Sequence, residues 1–406
     1  MAIFENAVTQ AQGFRAAGVH VGVKTSNKSK KDMALICSDA PCHVAGVFTT
    51  NNVKAAPVLH DIPVVEKGTA QAIIANSGNA NACTGQQGLD DAAAMAAATA
   101  SALGIPAEAV LVCSTGVIGH NLPMDRIEKG IREVAAALSV TGGRDAAEAI
   151  LTTDVCRKEM AKTVDIDGVT VTIGGMAKGS GMICPHMATM LCFITTDAAI
   201  DGATLKKALQ EAATLSFNQI SVDGDMSTND TCLLLANGKA DNAPITYGTA
   251  AYDKFLGVLR EICYYLAKKI ARDGEGATHL FEAEVLHAAT ADDALKAAKA
   301  VVSSDLVKSA VFGKDANWGR IICAVGYSGA AFDQYAVDIK LASEVGEITV
   351  AVNGGGLEFD EDYAAKILAE ENVKAIIDLK AGEHSGKAWG CDLTYDYVKI
   401  NADYRT

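Results

Sequence analysis

Helical and strand-like patterns interleave along the whole of this 406-residue chain, and that alternation restricts it to a layered α/β fold. Ala72-Ile73-Ile74-Ala75 has the pattern of a buried strand running to Asn76-Ser77-Gly78-Asn79, and residues 110–113 form a second that runs into Ser114-Thr115-Gly116. Between them, residues 89–103 are Ala-rich, begin with Asp90 and Asp91 and stop at Gly104. Acid at the start and glycine at the stop mark a helix. Helical spacing returns over 122–138, over 203–217 and through Leu256, Leu259, Ile262, Leu266 and Ile270, a series that Gly274 ends. Residues 163–173 alternate about Asp167-Gly168, which predicts a hairpin because both turn positions need positive φ. In the C-terminal third, strands are expected over 281–287, 335–341, 348–352 and 393–400, and helices over 291–302 and 362–371. Several hairpins argue against a purely parallel sheet, so mixed sheets covered by helices are expected. No Pro/Ser-rich linker and no internal repeat divides the chain.

Composition excludes several classes of function. A net charge of −14 without a basic stripe disfavours nucleic acid, although a local pocket for a small polar metabolite can differ in sign from the whole. The N-terminus lacks a basic region followed by an apolar one, which argues against a secretory leader. No window of eighteen residues is wholly apolar, so no membrane span is expected. The 11 Cys are scattered from Cys37 to Cys391 with no CxxC pair, the pattern of reduced thiols in a cytoplasmic protein. The 8 His form no HExxH and no cluster with Cys, so metal binding is not expected.

Chemistry concentrates near the middle of the chain. The small-residue stretch Gly174-Gly175-Met176-Ala177-Lys178-Gly179-Ser180-Gly181 resembles a flexible loop. It leads through Pro185-His186-Met187-Ala188 to Thr189, where an apolar run begins. Lys178 precedes Gly179 instead of following it, so the order of a phosphate-binding P-loop fails. Asp223 to Asp230 is acid-rich but has Thr228 where a calcium loop needs glycine. Thr189 could be an ordinary strand residue. It could also be a nucleophile: if the bond before it breaks, hydroxyl and free amine share one residue, and the amine serves as base. Such an amine has a pKa of roughly 8 and is substantially neutral near physiological pH, whereas a lysine near about 10.4 would need strong burial. Ser114-Thr115-Gly116 could be a turn or an oxyanion hole, glycine exposing its N–H beside a hydroxyl. Lys178 could be solvated or could bind a carboxylate. Glu275 could be a loop residue or could receive an amine. The tail from Asn401 to Thr406 is polar and could be tied down or frayed.

Taken in order, the motifs resemble one family, the ornithine acetyltransferases of arginine biosynthesis, often bifunctional as glutamate N-acetyltransferases. The resemblance rests on Gly13-Phe14-Arg15-Ala16-Ala17-Gly18, Val47-Phe48-Thr49-Thr50-Asn51, Ala55-Ala56-Pro57-Val58, Asn76-Ser77-Gly78-Asn79-Ala80-Asn81 and Ser114-Thr115-Gly116-Val117-Ile118-Gly119. It continues through Thr152-Thr153-Asp154, Lys178-Gly179-Ser180-Gly181-Met182, Met187-Ala188-Thr189-Met190-Leu191, Val222-Asp223-Gly224-Asp225, Arg272 to Thr278, Asn317-Trp318-Gly319-Arg320 and the tail.

The resemblance implies an αββα-type layered sandwich like that of N-terminal-nucleophile hydrolases, with its own connectivity. It implies self-cleavage between Ala188 and Thr189 into chains of residues 1–188 and 189–406, assembled as two of each. Carried over residue by residue, Thr189 is the nucleophile, and Thr115 with Gly116 forms the oxyanion hole. Thr152, Lys178, Thr189, Glu275, Asn401 and Thr406 bind substrate, with Thr152 and its neighbour Thr153 both open for the first position. The implied reaction moves the acetyl group of N2-acetylornithine through Thr189 to glutamate, without metal or cofactor. In bifunctional members acetyl-CoA is a second donor. The nearest rival is an N-terminal-nucleophile peptidase or amidase with water as acceptor. An uncleaved metabolite-binding protein with a structural Thr189 is the rival from another class.

Overall fold

The computed structural model describes residues 2–184 and 190–403. Among these residues the strands form two mixed sheets. The larger has the order Val110–Val117, Thr69–Asn79, Met33–Phe48, Thr231–Ala236, Leu191–Thr196, Val169–Lys178, Lys158–Ile166, with Phe14–Val19 also paired to Met33–Phe48. The 16-residue strand Met33–Phe48 organises it. Its first half pairs with Phe14–Val19 and Thr69–Asn79, the register slips between Cys37 and Cys42, and residues 43–48 pair with Thr231–Ala236.

The sheet folds back on itself about this strand. Ile36, Ile73, Ala75 and Leu111 from one wing share a buried cluster with Met176, Leu191, Phe193 and Leu233 from the other. Because side chains alternate across a strand, the neighbouring positions Leu35, Ile74 and Val112 face outward, onto Met95, Ile127 and Ile131 of helices Gly85–Leu103 and Met124–Ala136. On the far side Ile173, Ile194 and Leu234 face Leu205, Leu259 and Ile262 of helices Gly202–Leu215 and Ala250–Arg272. The layers run helix, sheet, sheet, helix, as expected of an αββα sandwich.

The second sheet has the order Gly355–Gly356, Gly346–Val352, Asp338–Ser343, Asn372–Asp378, Leu280–Ala288, His384–Cys391, Ile220–Ser221. One face buries Phe281, Ala283, Val285 and Ile339 against helices that include Ala291–Ser303 and Glu361–Leu368. Helix Ala250–Arg272 joins the two units, since its core cluster also contains Trp389 and Cys391 of the second sheet.

The hairpin at Asp167-Gly168 forms as expected, with φ of 52° and 88° at its two turn residues. Two expectations fail. Residues 393–400 are not a strand: the strand stops at Cys391 and Tyr395–Asp403 is a helix. Thr394 starts it, its hydroxyl accepting from the Tyr397 N–H at 3.3 Å while donating to the Gly276 carbonyl at 2.8 Å, a cap that overrides the β propensity of Tyr and Val. The stretch 174–178 is not a loop but the end of strand Val169–Lys178. Its glycines serve close packing: a Cβ on Gly174 would lie 1.8 Å from the Ala7 carbonyl oxygen.

Candidate active site

The strand Val110–Val117 continues past its apolar residues and carries Ser114, Thr115 and Gly116 alongside the parallel strand Thr69–Asn79. Their register breaks at Gly78 and Asn79. Gly116 has φ of 135°, and a Cβ there would stand 2.3 Å from the Gly78 carbonyl carbon. Only glycine fits, and the backbone at this point meets the site without a side chain in front of it. Buried amides hold the two strand ends. Ser114 Oγ donates to Asn76 Oδ1 at 2.6 Å, and Asn229 Nδ2 donates to the carbonyls of Ala80 at 2.6 Å and Ser114 at 2.9 Å.

Lys178, the last residue of its strand, is not a solvated charge. It is 7% exposed, and its Nζ donates to Thr152 Oγ1 at 2.8 Å and reaches Thr115 Oγ1 at 3.4 Å. Burial pushes its pKa down, opposed by the nearby Asp154. Asp154 is the hub beneath it. One carboxylate oxygen accepts from Lys158 Nζ and the Gly179 N–H, both at 2.7 Å; the other accepts from the Thr152 N–H at 3.1 Å and lies 3.9 Å from Lys178 Nζ. Lys158, fully buried, also donates to Asp273 at 2.5 Å. Burial alone would raise the Asp154 pKa, but Lys178 and Lys158 outweigh it and hold the carboxyl below its usual range.

A group whose folded pKa is lowered contributes stability above its unfolded pKa, about 3.9 for aspartate, and loses it as pH falls toward the folded value. Asp154→Asn would leave two buried lysines short of a counter-charge, at a cost of about 3–5 kcal/mol at neutral pH. Denaturant unfolding at pH 7 and in acid measures this. The gap from wild type should narrow only below about pH 4, and equal stability at pH 7 would refute the hub role.

Across the site, Glu275 follows the C-terminal end of helix Ala250–Arg272, and its Oε2 accepts from Asn401 Nδ2 at 2.8 Å. Asn401 comes from the helix that the sequence pattern presented as a strand. The entry to the central segment is clamped: Asp223 accepts from the N–H groups of Met182 at 2.6 Å and Ile183 at 2.8 Å.

These elements enclose a cavity of about 240 Å³, enough for a small amino acid. Thr115, Gly116, Thr152, Lys178, Glu275 and Asn401 all line it, as does Thr153. Met182 and Met190, which flank residues 185–189 in sequence, line it too. Ala188, Thr189 and Thr406 lie outside the described residues. The sequence reading gave no role to Asn229 or Asp154. Thr152-Thr153-Asp154 was a visible motif, but only burial distinguishes its aspartate. Asn229 sits in the acid-rich stretch that had been set aside as a failed calcium loop. Among the described residues no group of His, Cys, Asp or Glu is placed to hold a metal ion, and no helix is long and apolar enough to cross a membrane.

Residues 15–406 match the ArgJ family. The chain belongs to that family. Among relatives, the "Arginine biosynthesis bifunctional protein ArgJ" of Symbiobacterium thermophilum is 58% identical over 98% of both chains. The protein of the same name from Caldanaerobacter subterraneus subsp. tengcongensis is 53% identical over 100% of both. A solved ArgJ chain from Bacillus halodurans is 48% identical with a TM-score of 0.50, and the match covers 98% of that chain but 52% of this one. The family match thus extends over nearly the whole sequence.

Proposed function

We propose that the cavity performs ping-pong acetyl transfer through Thr189, from N2-acetylornithine to glutamate, and that acetyl-CoA is a second donor to the same residue. The chain is a bifunctional ArgJ acetyltransferase of arginine biosynthesis; the residue roles, the cleavage and the assembly are the proposal. One observation carries it: six residues assigned from sequence line a single cavity whose wall also includes Met182 and Met190, on either side of the proposed cleavage bond.

In maturation the Thr189 hydroxyl attacks the Ala188 carbonyl, the acyl group shifts from N to O, and water hydrolyses the ester. The products are chains 1–188 and 189–406, two of each in the assembly. The length of the solved relative supports the cut, because that chain spans 52% of this one, near the share that residues 189–406 make up. In turnover the freed amine takes the Thr189 proton as Oγ attacks the acetyl carbonyl. Thr115 and the Gly116 N–H receive the oxyanion, and ornithine leaves. The amine of glutamate then attacks the acetyl ester. A substrate carboxylate at Lys178 would stabilise its charged form, and Thr152, which holds Lys178 Nζ through its hydroxyl, is the threonine assigned to substrate. Glu275, with Asn401, receives the ornithine side-chain amine, and Thr406 completes the site.

Ornithine release from N2-acetylornithine should accelerate with added glutamate and match N-acetylglutamate formed. Acetate release indifferent to glutamate would instead indicate the amidase with water as acceptor. Acetyl-CoA with glutamate should also yield N-acetylglutamate.

A further inference from the structure

A cavity of about 240 Å³ suits ornithine or glutamate, but not the nucleotide end of acetyl-CoA. A second donor therefore needs an anion site outside it, on a chain whose net charge of −14 repels anions in general. Two further cavities share wall residues in series with the catalytic one. The nearer, of about 120 Å³, includes Thr152 and adds Lys24, Lys30 and Gly78. The next, of about 420 Å³, shares Lys24 and Gly78 and adds His120 and Arg126; that volume falls in the usual range for a cofactor-sized ligand.

Apart from Arg126, the basic side chains of this path come from one loop. Residues 24–31, Lys-Thr-Ser-Asn-Lys-Ser-Lys-Lys, carry no acid. Lys31 is engaged by Asp145 and Glu148. Lys30 Nζ donates to the Thr152 carbonyl at 2.9 Å, which puts an ammonium directly behind a catalytic-cavity residue. The Lys24 side chain passes over Gly78, whose Cβ would meet Lys24 Cγ at 3.2 Å, and Gly78 backs onto Gly116. Arg126 is oriented by a 2.9 Å bond from Nη1 to the Gly22 carbonyl. Two carboxylates share these walls. Asp32 faces the N–H groups of Val21, Gly22 and Val23, and Asp125 stands in the first turn of helix Met124–Ala136.

We propose that this path is the acetyl-CoA site, with the donor's phosphates at Lys24 and Arg126 and its pantetheine arm running past Lys30 and Thr152 to the catalytic cavity. The inference rests on the bifunctional reading above. In the transfer the acetyl C–S bond breaks as the ester bond to Thr189 Oγ forms, and the hydroxyl proton ends on the CoA thiol. N2-acetylornithine shares Thr152 with this path but reaches neither Lys24 nor Arg126.

Two variants of the mature enzyme test it. Lys24→Met keeps the alkyl contact with Gly78 and removes the charge; Arg126→Gln removes the guanidinium. Each should raise KM for acetyl-CoA about tenfold or more, as loss of a charge-assisted phosphate contact does, while kcat and KM with N2-acetylornithine stay at wild-type values. Adenosine 3′,5′-bisphosphate should compete with acetyl-CoA and not with N2-acetylornithine. Wild-type KM for acetyl-CoA in both variants would overturn the site alone. Equal losses with both donors would reduce it to a structural role and overturn it as well. A wild-type enzyme that makes no N-acetylglutamate from acetyl-CoA would overturn the bifunctional reading, and the site with it.

Discussion

Thr189→Ala is expected to leave one uncut polypeptide of 406 residues with transferase activity reduced by about 10⁴–10⁶-fold, the scale seen when a covalent nucleophile is removed. Both effects follow from a single hydroxyl. In the proposed mechanism it attacks the Ala188 carbonyl once, in maturation, and the acetyl carbonyl at every turnover thereafter. Removing it also removes the base, because the α-amine of residue 189 stays locked in a peptide bond. Thr189→Ser keeps hydroxyl and amine, so it should still cleave. A denaturing gel with a mass measurement of the fragments decides the matter: two fragments from the alanine variant would end the proposal, as would a second fragment beginning anywhere but residue 189.

Gly116→Ala should be the second most damaging change. The residue has φ of 135°, a region closed to alanine, and the new Cβ would lie 2.3 Å from the Gly78 carbonyl carbon and 2.6 Å from the Asn79 nitrogen. Those atoms are backbone, held in the neighbouring strand, so the Gly116 N–H must move instead. Displacing one oxyanion donor costs about 10²–10³-fold in kcat. Because the donor acts on charge that develops only during attack, KM should change little. Each donor passes through a tetrahedral intermediate whose oxyanion meets the same N–H, and both share the acetyl ester that follows, so kcat should fall alike with N2-acetylornithine and acetyl-CoA. A variant with wild-type kcat would remove Gly116 from this role.

The sequence disclosed what local chemistry controls. Asp167-Gly168 needed two positive φ values and received them, and Gly104 ends its helix in the left-handed region at φ of 67°. Layering was legible for the same reason, since alternating periods of two and 3.6 residues demand layers. What escaped depends on distant partners. Lys178 looks solvated beside glycines, yet its burial is set by Asp154 and Thr152, at separations of 24 and 26 residues. The glycines before it looked flexible, but Gly174 is shaped by Ala7. Tyr395-Asp396-Tyr397-Val398 has strand propensity, and the hydroxyl of Thr394 turned it into a helix. The strand Met33–Phe48 hides its role as the pivot between two wings because nothing local marks where pairing passes from one neighbour to the other. Family motifs named the proposed site residues; that six of them line one cavity was not legible.

The strand order gives self-cleavage a further consequence. Strands Leu191–Thr196 and Thr231–Ala236, both beyond residue 189, lie between Met33–Phe48 and Val169–Lys178, which both precede it. Ladders join them on each side, six residue pairs in each. Once the bond before Thr189 is cut, the first polypeptide holds strands on both sides of the sheet and the second holds the adjacent pair clasped between them. The cut protein would be a nicked unit that does not come apart. After full unfolding, however, the same strands must find each other by diffusion, so refolding turns from a first-order into a concentration-dependent reaction. On the proposed cleavage, folding must precede cutting: the intact chain would act as its own template, and the cut enzyme would persist by resisting unfolding, with no ready route back.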